Sequence, residues 1–127
     1  MPRVLVIEDT DEIRELIEIS LSRAGMEIDS ATDGVRGLEL MRSVAPDAVV
    51  LDLNLPGRDG MSLCREIRES SEVPILVASG DDTLDRRERS KSAGANDFIG
   101  KPFSPRDLVD RVRSLLSQAD AAPGSGK

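Results

Sequence analysis

Four short apolar runs in this chain are each broken off by residues able to do chemistry. Val4-Leu5-Val6-Ile7 stops at Glu8-Asp9, Ala48-Val49-Val50-Leu51 stops at Asp52, Ile75-Leu76-Val77-Ala78 stops at Ser79, and Phe98-Ile99 is followed by Gly100-Lys101. Taken singly, each polar residue is a turn, a cap or a surface charge. Taken together, they are three carboxylates, one hydroxyl and one ammonium at equivalent places along the chain. Two carboxylates ~4 Å apart repel by roughly 4 kcal/mol at an effective dielectric near 20. A cluster of three therefore calls for protonation or a bridging cation. The chain has no histidine and one cysteine, Cys64, so the donors are oxygens, which suits Mg²⁺ with water left for phosphate oxygens. A carboxylate nucleophile, a metal, a lysine and a hydroxyl donor describe phosphoryl transfer to an aspartate.

The elements that must position these groups follow from hydrophobic pattern. Continuous apolar runs of about four residues read as strands buried on both faces. Strands are predicted at Val4–Ile7, Glu27–Ala31, Ala48–Leu53, Ile75–Ala78 and Asp97–Ile99. Helices alternate with them. The first, from about Thr10 to Ala24, places Ile13, Leu16, Ile17, Leu21 and Ala24 on one face, and Gly25 closes it. The second begins at Asp33-Gly34 and runs to about Val44, apolar at Val35, Leu38 and Met41. The third, Met61–Ser70, packs through Leu63, Cys64 and Ile67. The fourth, Asp82–Ala93, has Leu84 as its only large apolar residue. Its acids come early and its bases late, which complements the helix dipole. Ser104-Pro105-Arg106-Asp107 starts a fifth helix to about Gln118, with Leu108, Val112, Leu115 and Leu116 on one face.

Alternating strands and helices predict an α/β, doubly wound, five-stranded parallel sheet in flavodoxin-like order 2-1-3-4-5. In that order the first and third strands are neighbours at the switch point, so Glu8, Asp9 and Asp52 crowd one crevice. The domain is expected over residues 1–118, with residues 119–127 a disordered tail or truncated linker, since that stretch is rich in Ala, Pro, Gly and Ser.

Composition narrows the partners. Net charge is −7, and the aromatic residues are Phe98 and Phe103 alone. That argues against direct nucleic-acid contact or an anionic membrane surface. No apolar run approaches membrane-spanning length. Met1-Pro2-Arg3 leads straight into a strand, so no secretory leader is expected. A cytoplasmic location fits the single cysteine.

The chain resembles the receiver domain of bacterial two-component response regulators over about Arg3 to Gln118. The resemblance rests on Glu8-Asp9, on Asp52 within Leu51-Asp52-Leu53-Asn54-Leu55-Pro56-Gly57-Arg58-Asp59-Gly60, on Ser79, and on Lys101-Pro102-Phe103. It implies that Asp52 accepts a phosphoryl group from a histidine kinase or histidine phosphotransfer protein. Asp9 and Asp52 would ligate Mg²⁺ (or Mn²⁺ in its place) by side chains, Asn54 by its backbone carbonyl, and Glu8 through water. Lys101 and Ser79 would take phosphoryl oxygens, and the Lys101–Pro102 bond would be cis. Ser79 and Phe98 would be the switch pair, with Phe98 turning inward as Ser79 moves toward the phosphate. The face of the fourth helix, fifth strand and fifth helix would then control a downstream protein or output domain. Such a domain is a signalling switch rather than an enzyme, with Mg²⁺-dependent self-phosphorylation and self-dephosphorylation.

Three other readings compete. A phosphorylation-independent pseudo-receiver is the nearest, but every catalytic position is filled. A dehalogenase-type phosphatase carries its nucleophile on the first strand and its acidic pair last, the reverse of this chain. A flavodoxin needs a hydroxyl- and glycine-rich phosphate loop where this chain has Glu8-Asp9-Thr10-Asp11-Glu12.

Overall fold

The computed structural model describes residues 1–120. Ten elements alternate along it: β1 (Arg3–Ile7), α1 (Asp11–Arg23), β2 (Glu27–Ala31), α2 (Gly34–Val44), β3 (Ala48–Asp52), α3 (Gly60–Ser70), β4 (Ile75–Ser79), α4 (Leu84–Ser92), β5 (Asp97–Gly100) and α5 (Pro105–Asp120). The sheet is parallel throughout and runs β2-β1-β3-β4-β5, the expected order. α5 runs two residues past its expected end. Of the tail expected over residues 119–127, residues 119–120 belong to α5, and the remainder lies outside the described residues.

The period of two along each strand divides the core into two layers. Val4, Val6, Val50, Leu76, Ala78 and Ile99 face one way and pack on Ile17 and Leu21 of α1 and Leu108, Val112 and Leu115 of α5. Leu5, Ile7, Val49, Leu51, Ile75, Val77 and Phe98 face the other way and meet Leu40 of α2, Leu63, Cys64 and Ile67 of α3, and Ala93 at the end of α4. Each large aliphatic side chain fully buried this way contributes about 1.5–3 kcal/mol. Helix starts are fixed by side-chain oxygens that accept orphan N–H groups. Asp33, Asp59, Thr83 and Ser104 do this for α2, α3, α4 and α5.

Two helix faces differ from the periodic expectation, at Val35 and Leu16, and the lone large apolar residue of α4 is exposed. Val35 is 69% exposed and Leu84 is 71% exposed, while Leu16 lies at the rim of its stripe at 37%. On α2 the buried face is Gly34, Gly37 and Leu40 instead. A Cβ at Gly37 would sit 2.7 Å from Ile7 Cδ1, so glycine lets α2 press directly on β1. A glycine contributes nothing to a hydrophobic pattern, and the pattern therefore pointed to Val35.

Candidate functional site at the carboxyl edge of the sheet

β1 and β3 are neighbours, with Ile7 opposite Leu51. The residues that follow, Glu8-Asp9 and Asp52, consequently emerge side by side. One carboxylate oxygen from each of Glu8, Asp9 and Asp52 lies within 4.8 Å of the others. Glu8 and Asp52 are buried, at 1% and 2% exposure, while Asp9 is exposed. The Glu8 N–H still donates to Ala31 O at 3.0 Å, extending the sheet one residue and fixing its side chain in the crevice.

Lys101 reaches the same point from the far side. Its backbone N–H donates to Ser79 O at 2.8 Å, and its Nζ lies 3.0 Å from Glu8 Oε1 and 3.1 Å from Asp52 Oδ1. The Lys101–Pro102 peptide is cis, as expected. One ammonium thus serves two buried carboxylates. Glu8 Oε1 is buried with this ion pair but without a well-directed hydrogen bond. Burial pushes the Glu8 carboxyl above its usual range, against the downward pull of Lys101, and the Asp52 charge adds to the rise.

Asp52 is held through one oxygen. Its Oδ1 accepts the Asn54 N–H at 3.0 Å and carries the Lys101 contact. Asn54 itself is exposed. The loop that follows folds tightly back: the Gly60 N–H donates to Leu53 O at 3.1 Å. A Cβ at Gly60 would lie 2.5 Å from Leu53 Cα, so only glycine closes this loop beneath the site.

Ser79 is fully buried at the end of β4. Asp52 lies opposite Ala78, the residue before it. Ser79 Oγ accepts the Asp81 N–H at 3.1 Å, which leaves the hydroxyl proton for another acceptor. The Thr83 backbone N–H and hydroxyl hold the Asp81 carboxyl below its usual range. Phe98 pairs with Val77 two residues before Ser79. It is 5% exposed, already inward, with the Arg87 guanidinium 4.8 Å from the ring centroid.

The expected site residues thus converge on one edge, apart from Phe98, which lies one strand over and joins the α4 side of the core. The pattern missed Arg14 and Arg87. Arg14 Nη1 lies 3.3 Å from Glu8 O and 3.5 Å from Asp9 O, and its Nη2 donates to Asp11 at 2.6 Å. It steadies the acidic loop from the first turn of α1. An arginine directly after an acidic loop was the available signal, but hydrophobic periodicity does not register it.

Three convergent carboxylates, one underused buried oxygen and no nitrogen or sulfur donor fit a hard divalent cation. The fold and this constellation define a phosphoacceptor switch of the doubly wound class. The response regulator receiver domain profile matches residues 4–113, and the chain belongs to that family. It is 39% identical over 126 residues to the response regulator MprA of Mycolicibacterium vanbaalenii, covering 98% of this chain and 54% of that protein. It is 34% identical to the DNA-binding dual master transcriptional regulator RpaA of Synechocystis, covering 100% of this chain and 54% of that protein. The chain spans about half the length of these curated relatives. Among solved structures, the BeF3-activated N-terminal receiver domain of Klebsiella pneumoniae RstA superposes with a TM-score of 0.86 at 34% identity, covering 91% of this chain and 99% of that one.

Proposed function

We propose that Asp52 is the phosphoacceptor and that Mg²⁺ is held by Asp9, Asp52 and the Asn54 carbonyl, with Glu8 acting through water. The observation that carries this reading is the pair of buried carboxylates, Glu8 and Asp52, sharing one ammonium. When bound, the cation neutralises this cluster and the incoming phosphoryl charge.

The ion pair and the hydrogen bond at Asp52 both fall on Oδ1, so Oδ2 is the attacking oxygen. Oδ2 forms a bond to phosphorus as the P–N bond of a phosphohistidine breaks, and that electron pair returns to the imidazole nitrogen. Lys101 is released from its carboxylates to a phosphoryl oxygen, and the Ser79 hydroxyl donates to another. A buried, partly dehydrated crevice strengthens both contacts. Small phosphodonors serve the same chemistry, and hydrolysis of the phosphoaspartate restores the Asp52 carboxylate and releases inorganic phosphate, which makes the domain self-modifying rather than an enzyme on a separate substrate.

The donor partner is a histidine kinase or histidine phosphotransfer protein. The receiving partner is a downstream protein or output domain that reads the α4-β5-α5 face. RpaA is named as DNA-binding, which makes a DNA-binding output a target to test. A net charge of −7 supports no direct contact between this domain and nucleic acid. Among the described residues no helix is long and apolar enough to cross a membrane, and a cytoplasmic setting is part of the proposal.

The test is incubation with acetyl phosphate or a beryllium fluoride salt, with and without Mg²⁺, on the native chain and on Asp52→Asn. Intact mass and ¹⁹F spectra should report Mg²⁺-dependent modification of the native chain alone. Equal labelling of the variant would assign the phosphate to another residue.

A further inference from the structure

α4 is held to the molecule in an unusual way. Of its nine residues only Ser90 is buried, and Leu84, its one large apolar side chain, points to solvent. A helix without an apolar stripe needs another anchor. Arg87 supplies it. Its guanidinium lies over the Phe98 ring at 4.8 Å. Its Nε donates to Asp82 O at 3.1 Å, and its Nη2 is 3.8 Å from the Asp82 carboxylate. The Ser90 hydroxyl donates to Arg87 O at 2.8 Å, fastening the same turn.

These contacts lead back to the site. Asp82 packs against Gly100, where a Cβ would lie 3.1 Å from Asp82 Oδ2. Gly100 pairs with Ser79 and precedes Lys101. One arginine thus touches both the loop leaving Ser79 and the aromatic ring on the neighbouring strand.

We propose that Arg87 is the positioning residue that ties α4 to the strand ends, holding Phe98 inward and setting the face that α4 presents. Its contacts stand alone; that phosphorylation shifts them rests on the phosphoacceptor reading above. The resemblance to receiver domains implies that phosphorylation favours the inward ring, the position that Arg87 holds here. By linkage, removing Arg87 must then weaken the ligand that mimics the phosphoryl group, although Arg87 does not touch that ligand.

The chain contains only Phe98 and Phe103 as aromatic residues, so fluorophenylalanine gives two ¹⁹F resonances. Phe103 belongs to the opposite core layer and is the internal control. Arg87→Met keeps the aliphatic stem without charge or donors, and Arg87→Lys keeps the charge without the planar fork. In metal-free Arg87→Met, the Phe98 resonance should move while Phe103 stays. α4 amides should exchange about two- to fivefold faster, the size of a partly exposed cation–π contact. BeF₃⁻ with Mg²⁺ should bind about two- to fivefold more weakly to Arg87→Met, with Arg87→Lys between it and the native chain. An unmoved Phe98 resonance with native α4 exchange in Arg87→Met would overturn the anchor. Native BeF₃⁻ affinity in Arg87→Met would overturn the coupling. A native chain whose resonances ignore BeF₃⁻ and Mg²⁺, while Arg87→Met still moves Phe98, would sink the phosphoacceptor reading and leave the anchor standing.

Discussion

The two ends of the sheet carry the same formal charges and behave as opposites. At the amino edge, Arg3 stands among Glu27, Asp29 and Asp47: its guanidinium lies 2.6 Å from Glu27 and 2.9 Å from Asp29, and its N–H donates to Asp47 at 2.8 Å. At the carboxyl edge, Lys101 stands among Glu8, Asp9 and Asp52. Each of these clusters has three acids and one base at its centre. At the amino edge the Arg3, Glu27 and Asp29 side chains are 39%, 47% and 23% exposed, and water screens them. At the carboxyl edge the Glu8, Asp52 and Lys101 side chains are 1%, 2% and 15% exposed. A charge pair at 4 Å interacts with about 1 kcal/mol in water and about 4 kcal/mol at a dielectric near 20. The same residue types therefore make a surface network at one edge and a cation-demanding site at the other. Burial sets the difference, and it comes from the strands: the residues after Ile7 and Leu51 are covered by their neighbours, whereas Arg3 sits where the sheet opens.

The largest break in this comparison is Lys101→Met. It leaves Glu8 and Asp52 facing each other in the crevice with no cation between them. Removing one partner of a buried ion pair is costly because the other charge stays buried. The expected loss in metal-free buffer at neutral pH is about 3 kcal/mol, read by urea unfolding. Saturating Mg²⁺ should restore much of it, since a cation bound only to the folded form stabilises that form. A variant as stable as the native chain without metal would mean that the carboxyl edge is no more strained than the amino edge.

A smaller effect sharpens the comparison through pH. The Glu8 carboxyl is raised above its usual range, chiefly by burial. The folded chain therefore holds the Glu8 proton more tightly than the unfolded chain does. The stability this contributes is fully present below the ordinary glutamate value of 4.5 and is lost as pH rises through the raised folded value. Glu8→Gln removes that dependence. Without metal, the variant should match the native chain near pH 4 and exceed it increasingly toward neutrality. Thermal unfolding of both chains across that range measures the difference, and other carboxylates such as Asp81 cancel in it. With Mg²⁺ the native chain should gain more than the variant. A constant gap between the two chains at every pH would show that Glu8 does not titrate differently on folding.

Most of the fold was legible because the strands announce themselves. Continuous aliphatic runs between Gly, Pro and Asp turns fit buried parallel strands and little else, and strand order then placed Glu8, Asp9, Asp52, Ser79 and Lys101 at one edge. What escaped was carried by residues outside a hydrophobic pattern. Gly37 sets how closely α2 lies on β1 by having no side chain, so Val35 looked like core and is solvent-exposed. Leu84 is the only large apolar residue of α4 and is solvent-exposed, so the pattern showed a poorly anchored helix without showing that the charged Arg87 lies on Phe98. Arg14 acts on the Glu8 and Asp9 carbonyls and on Asp11, contacts that hydrophobic periodicity does not register. The inward Phe98 was expected only after phosphorylation, since a sequence cannot say which rotamer a neighbouring guanidinium will hold.

The smallest predicted effect is the control for all the others. Arg3→Ala deletes two ion pairs as short as any at the carboxyl edge, and contact counting alone would rank it above Lys101→Met. Exposed pairs, however, return their carboxylates to water when broken. Glu27 and Asp29 are hydrated whether or not Arg3 is present, whereas Glu8 and Asp52 are not. The Arg3 backbone N–H to Asp47 survives the substitution. Arg3→Ala should therefore lower the urea midpoint by a small fraction of the Lys101→Met loss. Raising salt toward about 1 M should erase much of that fraction, because the screening length there shrinks to about 3 Å, the length of these exposed pairs. Mg²⁺ should make no difference to it. If Arg3→Ala instead matched Lys101→Met in size and in its response to Mg²⁺, the two edges would be electrostatically equivalent, and burial would no longer explain why the chemistry is confined to one of them.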